Sequence, residues 1–121
     1  MSKKLLVVDD SPVSRSIIKK CLPKDQEFEL YEASDGRQGL EKFQEVRPDA
    51  TLLDLTMPVM DGFEALEEIK KIAPDAKVIV LTADIQPKAY EKVMALGAAM
   101  VIPKPPSSEA LAEGFSKIGL I

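Results

Sequence analysis

Short, largely apolar runs recur five times along the chain, and polar or charged residues follow each of them. The first, third and fourth runs are almost continuously apolar, which is typical of strands that helices cover on both faces. Their length favours strands over helices. The predicted strands are residues 4–9, 28–33, 50–54, 77–82 and 100–102.

The segments between these strands carry apolar residues at the three- and four-residue spacing of an amphipathic helix. Ser11 before Pro12 has the pattern of an N-cap and a first helical residue, and Asp61 with Glu64 has that of a capping box. Prolines follow the expected ends of three helices, at Pro23, Pro48 and Pro74. Regular alternation of strand and helix predicts a three-layer α/β fold with a doubly wound, parallel sheet of five strands.

Polar side chains stand at the ends of four predicted strands. Asp9 and Asp10 come at the end of the first, Asp54 ends the third, Thr82 ends the fourth, and Lys104 follows the fifth. In an open parallel sheet, ligands bind beyond the carboxyl ends of the strands, where the strand order reverses. The flavodoxin-like order 2-1-3-4-5 would bring Asp9 and Asp10 beside Asp54. Carboxylates, a hydroxyl and an amine at this edge indicate a site for a divalent cation and a phosphoryl group.

Composition and charge exclude several kinds of partner. The 121 residues suit one domain, spanning residues 1–121. A net charge of -4, with no lysine or arginine run longer than a pair, argues against direct binding to nucleic acid or to an anionic membrane. No apolar stretch has the length of a membrane span and no signal peptide pattern is present, so we expect a soluble, cytoplasmic protein. One cysteine and no histidine exclude an internal disulfide and a thiol–histidine pair.

Each of these polar residues has an ordinary interpretation when it is taken alone. A pair of aspartates after a strand most often caps the next helix, but Ser11 and Pro12 already have the pattern of the cap. Asp9 and Asp10 are then not needed as helix caps. Asp54 and Thr82 alone would be an ordinary loop carboxylate and an ordinary strand-end hydroxyl. Only the joint pattern favours a functional site.

Taken together, these motifs resemble the receiver domain of bacterial two-component response regulators, most of all the stand-alone chemotaxis-type regulators. The resemblance extends from residue 3 to residue 118. The motifs that carry it are Asp9-Asp10, Asp54 with the following Met57-Pro58-x-Met60-Asp61-Gly62, Thr82-Ala83 and Lys104-Pro105.

The resemblance implies that Asp54 accepts a phosphoryl group from a sensor histidine kinase or a histidine phosphotransfer protein, with Mg²⁺ as cofactor. Asp10 and Asp54 would be direct ligands of the metal ion, together with the backbone carbonyl of Thr56. Asp9 would act through a water molecule. An all-oxygen set of this kind suits Mg²⁺.

The resemblance also assigns the groups that would bind the phosphoryl oxygens. These are the Lys104 ammonium, the Thr82 hydroxyl and the backbone N–H of Ala83. Asp84 is expected to orient the water that hydrolyses the acyl phosphate. The chain would then promote its own phosphotransfer and dephosphorylation without being a conventional turnover enzyme.

Three other classes of protein can be weighed against this interpretation. A flavin-binding electron carrier would need a phosphate loop after the first strand and large aromatic residues, but the chain has two aspartates there and no tryptophan. A haloacid-dehalogenase-type phosphatase would carry its nucleophile after the first strand, with a second aspartate two residues on; here Thr56 stands two residues after Asp54. A receiver-like interaction module that does not turn over phosphate remains the alternative.

The sequence departs from the family pattern at Val101, where the family often has tyrosine or phenylalanine. We therefore expect the signal to pass through Thr82 and its loop. Lys104-Pro105 is expected to be cis, as in the family. With no output domain after the fifth helix, the signal is expected to leave by protein binding. The expected surface runs from Ile85 through Tyr90 and Val101 to the fifth helix, and it would bind a target protein or a second copy of the domain.

Overall fold

Five strands alternate with five helices in the computed structural model, which describes residues 2–83 and 86–121. Each predicted strand boundary lies within one residue of the observed one. No helix in the described residues is long and apolar enough to cross a membrane. The strands are β1 (Lys3–Val8), β2 (Phe28–Ala33), β3 (Ala50–Leu53), β4 (Val78–Thr82) and β5 (Met100–Pro103). The helices are α1 (Pro12–Cys21), α2 (Gly36–Val46), α3 (Gly62–Ile72), α4 (Pro87–Ala95) and α5 (Ser108–Lys117).

The five strands form one parallel sheet in the order β2-β1-β3-β4-β5, which confirms the predicted doubly wound, flavodoxin-like topology. The chain reverses its direction of winding between β1 and β3. Val8 is paired with Leu53 across these two strands, so both strands end at the same level. The residues after them, Asp9 and Asp54, therefore emerge side by side. Their positions just beyond the strands place both carboxylates in loops.

Alternate residues of the central strands supply two separate apolar cores. Leu6 and Val8 face the core that holds residues of α2, α3 and α4, while Leu5 and Val7 face the core of α1 and α5. Both cores consist of buried aliphatic and aromatic side chains. Helices on both faces of the sheet confirm the predicted three-layer architecture and explain why β1, β3 and β4 are apolar throughout.

The predicted helix signals are present in the structure. The Ser11 hydroxyl accepts a hydrogen bond from the Ser14 N–H at 3.1 Å, with Pro12 as the first helical residue. Asp61 caps α3 by accepting the Glu64 N–H at 3.0 Å. These caps fix where α1 and α3 begin, and both helices begin next to the carboxyl edge of the sheet.

The hydroxyl of Thr51 is a buried polar group that makes no hydrogen bond among the described residues. Thr51 is fully buried in β3, between Leu6 of β1 and Val78 of β4, and its Oγ1 has no hydrogen-bond partner within the described residues. An unsatisfied buried polar group costs on the order of 1–3 kcal/mol. We therefore expect Thr51→Val, which keeps the shape, to raise the free energy of unfolding by about 1 kcal/mol in urea titrations.

The matched variant Thr51→Ser keeps the hydroxyl and removes the methyl group. It is expected to lose about 1 kcal/mol of stability, because a buried methyl group is lost. A Thr51→Val protein that is no more stable than the wild type would contradict the assignment of an uncompensated hydroxyl.

Candidate functional site

Three carboxylates converge beyond the ends of β1 and β3, as the sequence predicts. Asp9, Asp10 and Asp54 each place one carboxylate oxygen within 4.8 Å of the others. Asp9 and Asp54 are buried, whereas Asp10 is exposed. The cluster is therefore open to solvent on the Asp10 side, and its negative charges lie close enough together to repel one another.

Asp54 is a buried member of this cluster and comes directly after β3. Its Oδ1 accepts the N–H of Leu55 at 2.9 Å, and its Oδ2 lies 3.4 Å from the Lys104 Nζ. Burial raises the pKa of the Asp54 carboxyl above its ordinary value, and the neighbouring Asp9 charge raises it further, while the Lys104 ammonium and the Leu55 N–H act in the opposite direction. The charged form of Asp54 is thus only partly compensated by the protein. A further cation in the site would favour it.

Asp9 is held by several donors. Its Oδ1 accepts the Ser11 N–H at 2.9 Å. Its Oδ2 accepts both the Ser14 hydroxyl and the Lys104 ammonium at 2.6 Å. Arg15 Nη1 donates to its backbone carbonyl, also at 2.6 Å. Ser11 caps α1, as predicted, so Asp9 is not the N-cap; the Asp9 side chain in addition joins the start of α1 to the site.

Sequence reasoning missed Ser14 and Arg15. Ser14 is the third residue of α1, where a polar side chain reaches back toward the residues before the helix. That position is the signal that could have identified it. Arg15 also donates to Glu32 Oε1 at 2.9 Å, so it joins β2 to the loop that carries Asp9.

Lys104 directly follows the edge strand β5, and its side chain brings a positive charge to the cluster. Its backbone N–H donates to the Thr82 carbonyl at 2.9 Å, which fixes the chain just after β5. Its ammonium lies closer to Asp9 than to Asp54, at 2.6 and 3.4 Å. The Lys104-Pro105 peptide bond is cis, as expected.

Three other predicted site residues lie in the loops of the same edge. Thr82 is buried at the end of β4, Ala83 is exposed just after it, and Thr56 is exposed two residues after Asp54. Their expected contacts with a phosphoryl group or a cation stay predictions. Asp84 and Ile85, which the sequence analysis also named, lie outside the described residues.

The match to a family model covers most of the chain. Residues 5–115 match the response regulator receiver domain. The chain belongs to this family. A receiver domain is a signalling module and not a conventional turnover enzyme.

Curated relatives of this receiver domain include chemotaxis proteins. The chemotaxis protein CheY of Listeria monocytogenes is 47% identical over 58 residues, which is 47% of this chain and 48% of that protein. The CheY of Thermotoga maritima is 38% identical over 60 residues, 50% of each chain. The matched segments span about half the length of these relatives.

Solved structures resemble the receiver domain over nearly its whole length. Chemotaxis protein CheY4 of Vibrio cholerae has a TM-score of 0.88 at 31% identity, over 98% of this chain and 99% of that one. A chain of the CheX–CheY–BeF3–Mg²⁺ complex of Borrelia burgdorferi has a TM-score of 0.89 at 25% identity, over 96% and 88% of the two chains. These similarities support a chemotaxis-type receiver.

Two glycines hold the loop that follows Asp54 in this receiver domain. The Gly62 N–H donates to the Leu55 carbonyl at 2.9 Å, and a methyl group on Gly62 would overlap the Asp54 carbonyl oxygen. On the other side, the Gly36 N–H donates to the Met60 carbonyl at 3.0 Å, where a methyl group would again overlap the carbonyl oxygen. The backbone on either side of the loop can come this close only because these residues have no side chain.

The residue between Pro58 and Met60 is strained. Val59 has a φ of 69°, in the left-handed region, and its side chain is 75% exposed. A β-branched residue in this conformation costs on the order of 1–2 kcal/mol. The contacts on both sides of the loop therefore hold a conformation that the local sequence disfavours.

An apolar rim borders the site beside Lys104. An open cavity of about 330 Å³ lies between the start of α1 and the loop after β5. Val13 and Ile17, one helical turn apart on α1, are among the large apolar side chains left exposed. The rim consists of Val13, Ile17, Pro105 and Pro106.

Proposed function

We propose that this receiver domain is a phosphorylation-activated switch in which Asp54 accepts a phosphoryl group from a phosphohistidine. The single observation that carries the proposal is the convergence of three carboxylates with the Lys104 ammonium at the carboxyl edge of the sheet. Asp9 and Asp54 are the two buried acids of the cluster, and the Asp9 oxygens already accept three donors, whereas the Asp54 Oδ2 lies 3.4 Å from the Lys104 ammonium. Asp54 is therefore the best placed nucleophile.

The residues fit Mg²⁺ in the proposed role. Three carboxylates with one ammonium leave the cluster net negative, and oxygen is the donor that Mg²⁺ prefers. Asp10, Asp54 and the Thr56 carbonyl would hold the ion directly, and Asp9 would act through water. The bound ion would supply Lewis-acid stabilisation of the charge on the phosphoryl oxygens.

The proposed reaction is the transfer of a phosphoryl group from a histidine nitrogen of the donor to Asp54. A carboxylate oxygen of Asp54 attacks phosphorus, the bond between phosphorus and the donor nitrogen breaks, and an acyl phosphate forms. Lys104 would neutralise one phosphoryl oxygen, while the Thr82 hydroxyl and the Ala83 N–H would donate to another. Hydrolysis would follow when water attacks phosphorus and Asp54 leaves as a carboxylate. Asp84 would orient that water.

The donor is proposed to be a sensor histidine kinase or a histidine phosphotransfer protein. Any protein that brings a histidine to Asp54 must contact the loops around the site. Of the surface around the site, the apolar rim of Val13, Ile17, Pro105 and Pro106 is the part best suited to contact the donor protein.

The output is proposed to be a change in protein binding on the surface formed by α4, β5 and α5. Tyr90 of α4 is 51% exposed. Val101 is partly buried against the core, and a groove of about 280 Å³ lies along β5 and α5. A target protein or a second copy of the domain would bind there. Because valine has no ring to move, we expect a coupling on the order of 1–3 kcal/mol, carried mainly by Thr82 and its loop.

We further propose that residues 1–121 act as one receiver domain in the cytoplasm, without direct binding to nucleic acid or insertion into a membrane. One continuous sheet with a core on each face supports a single domain. One cysteine in the chain suits a reducing compartment. The net charge of -4 argues against unaided binding to anionic surfaces.

An NMR titration with Mg²⁺ and beryllofluoride, a mimic of the phosphoryl group, tests the switch. We expect amide shifts near Asp54 and across residues 86–102 in the wild type. In Thr82→Ala, the shifts are expected to stay near Asp54, because the hydroxyl that would relay the signal is absent.

Three outcomes would count against parts of the proposal. Shifts confined to the site in the wild type would show that α4 and β5 do not respond. Full propagation in Thr82→Ala would remove Thr82 as the relay. No response to beryllofluoride at all would favour an interaction module that does not turn over phosphate.

A further inference from the structure

The start of α1 holds the buried Asp9 carboxylate through a side chain with no role in the proposed function. The Ser14 hydroxyl donates to Asp9 Oδ2 at 2.6 Å, and Lys104 Nζ donates to the same oxygen at the same distance. The other oxygen accepts the Ser11 N–H at 2.9 Å. Asp9 is 1% exposed, so bulk water does not replace these donors.

We propose that Ser14 is a positioning residue for cation binding, because its hydroxyl fixes the orientation of the Asp9 carboxylate. The inference rests on the proposed Mg²⁺ site and concerns how tightly that site binds. Ser14 would not touch the ion. It would act through Asp9, as outer-shell hydrogen-bond donors do at other metal sites.

Two effects of removing the hydroxyl point in the same direction. First, the Asp9 side chain would lose one of the donors that hold it, so more of its conformations would face away from the cation. Second, Lys104 would become the only side-chain donor on Oδ2 among the described contacts, and its ammonium would hold this oxygen in the ion pair and away from the cation. Both effects weaken cation binding.

A third effect opposes them but is smaller. A neutral hydroxyl withdraws some charge from the carboxylate, so its removal would make Asp9 slightly more attractive to a cation. Outer-shell substitutions lower metal affinity by about 10- to 100-fold in typical sites, which shows that orientation outweighs this change. Because Asp9 would act through water, we expect a loss nearer 3- to 10-fold, an order-of-magnitude estimate from the same range.

The test is the Mg²⁺ affinity of the unphosphorylated full chain, measured by NMR titration of amide shifts at Asp10 and Leu55. Four proteins are compared: the wild type, Ser14→Ala, Ser14→Thr and Ser16→Ala. Ser14→Thr keeps the hydroxyl. Ser16 is exposed on the same helix, so Ser16→Ala makes the same chemical change away from the site. Alanine favours helix over serine, and threonine differs little from serine in helix propensity, so all three variants are expected to fold.

We expect Ser14→Ala to bind Mg²⁺ about 3- to 10-fold more weakly, while Ser14→Thr and Ser16→Ala remain within about twofold of the wild type. Urea titration in EDTA gives the stability of each variant separately, since a purely structural role would change stability but not the affinity of the folded protein. Equal affinity in Ser14→Ala, or an equal loss in Ser14→Thr, would overturn the role of the hydroxyl. No Mg²⁺ response in the wild type would overturn the proposed function as well.

Discussion

Acetyl phosphate with Mg²⁺ is expected to add one phosphoryl group to the wild-type chain, and Asp54→Asn is expected to lose this label completely. An amide oxygen is a poor nucleophile for phosphorus. Asp9 is the other buried carboxylate of the cluster close to Lys104, but its oxygens already accept three donors, so it is not expected to take over the reaction. Intact mass spectrometry measures the gain. The label should be labile in acid and alkali, as an acyl phosphate is.

Asp10→Ala is the companion variant for this experiment. Its carboxylate is the exposed member of the cluster and a proposed direct ligand of Mg²⁺. It should lose Mg²⁺ affinity and labelling together, although Asp54 is intact. Undiminished labelling of Asp54→Asn at the same donor concentration would sink the assignment of the phosphoacceptor.

The fold of Asp54→Asn can be checked by its stability against pH in EDTA. Burial, first of all, raises the pKa of Asp54 in the folded state. The protonated Asp54 side chain therefore contributes its full stabilisation of the wild type below the ordinary pKa of aspartate. This contribution is lost as the pH rises through the raised pKa of the folded state. Asp54→Asn, which carries no charge, should be the more stable protein at neutral pH. Its advantage should disappear in acid, where both side chains are neutral.

Gly62→Ala is expected to lower the free energy of unfolding by about 2–4 kcal/mol, at the upper end of the cost of overpacking. The added methyl group would overlap the Asp54 carbonyl oxygen and lie 2.7 Å from the Leu55 Cα. Both are backbone atoms, so no side chain can turn away. The backbone must shift at the phosphoacceptor itself, and slower labelling of Asp54 should accompany the loss of stability.

Gly114→Ala is the matched control for this prediction. It makes the same change in the middle of α5, where the nearest atom is the flexible Met100 Sδ at 2.9 Å. The gain in helix propensity, about 1 kcal/mol, offsets the contact. We therefore expect little net change in urea titrations. If Gly62→Ala were as stable as Gly114→Ala, the close approach at Asp54 would not be a constraint.

Much of the architecture was predictable because it depends on local pattern. The alternation of strands and helices and the caps at Ser11 and Asp61 follow from hydrophobic spacing and turn chemistry. The clustering of Asp9, Asp10 and Asp54 required one further assumption, the strand order, which local pattern does not contain. The observed pairing of Val8 with Leu53 provides it.

The finer arrangement of the site was beyond sequence reasoning because it depends on distances between groups that are far apart in the chain. Lys104 and Asp9 are 95 residues apart, and which acid the ammonium favours is decided by how β5 and the following loop lie across the sheet. Gly36 was not singled out, since its contact with Met60 arises only when α2 packs beside the loop after β3.

The sequence by itself therefore determined the class of fold, the edge of the sheet that carries the site and the kinds of side chain found there. Each of these follows from periodicity and from residues at strand ends, which are properties of short segments. Only the tertiary structure decided that Asp9 and Asp54 are buried while Asp10 is exposed, and that Ser14 joins Lys104 on Asp9. Burial and shared hydrogen bonds depend on several elements packing at once, and no single segment of sequence encodes them.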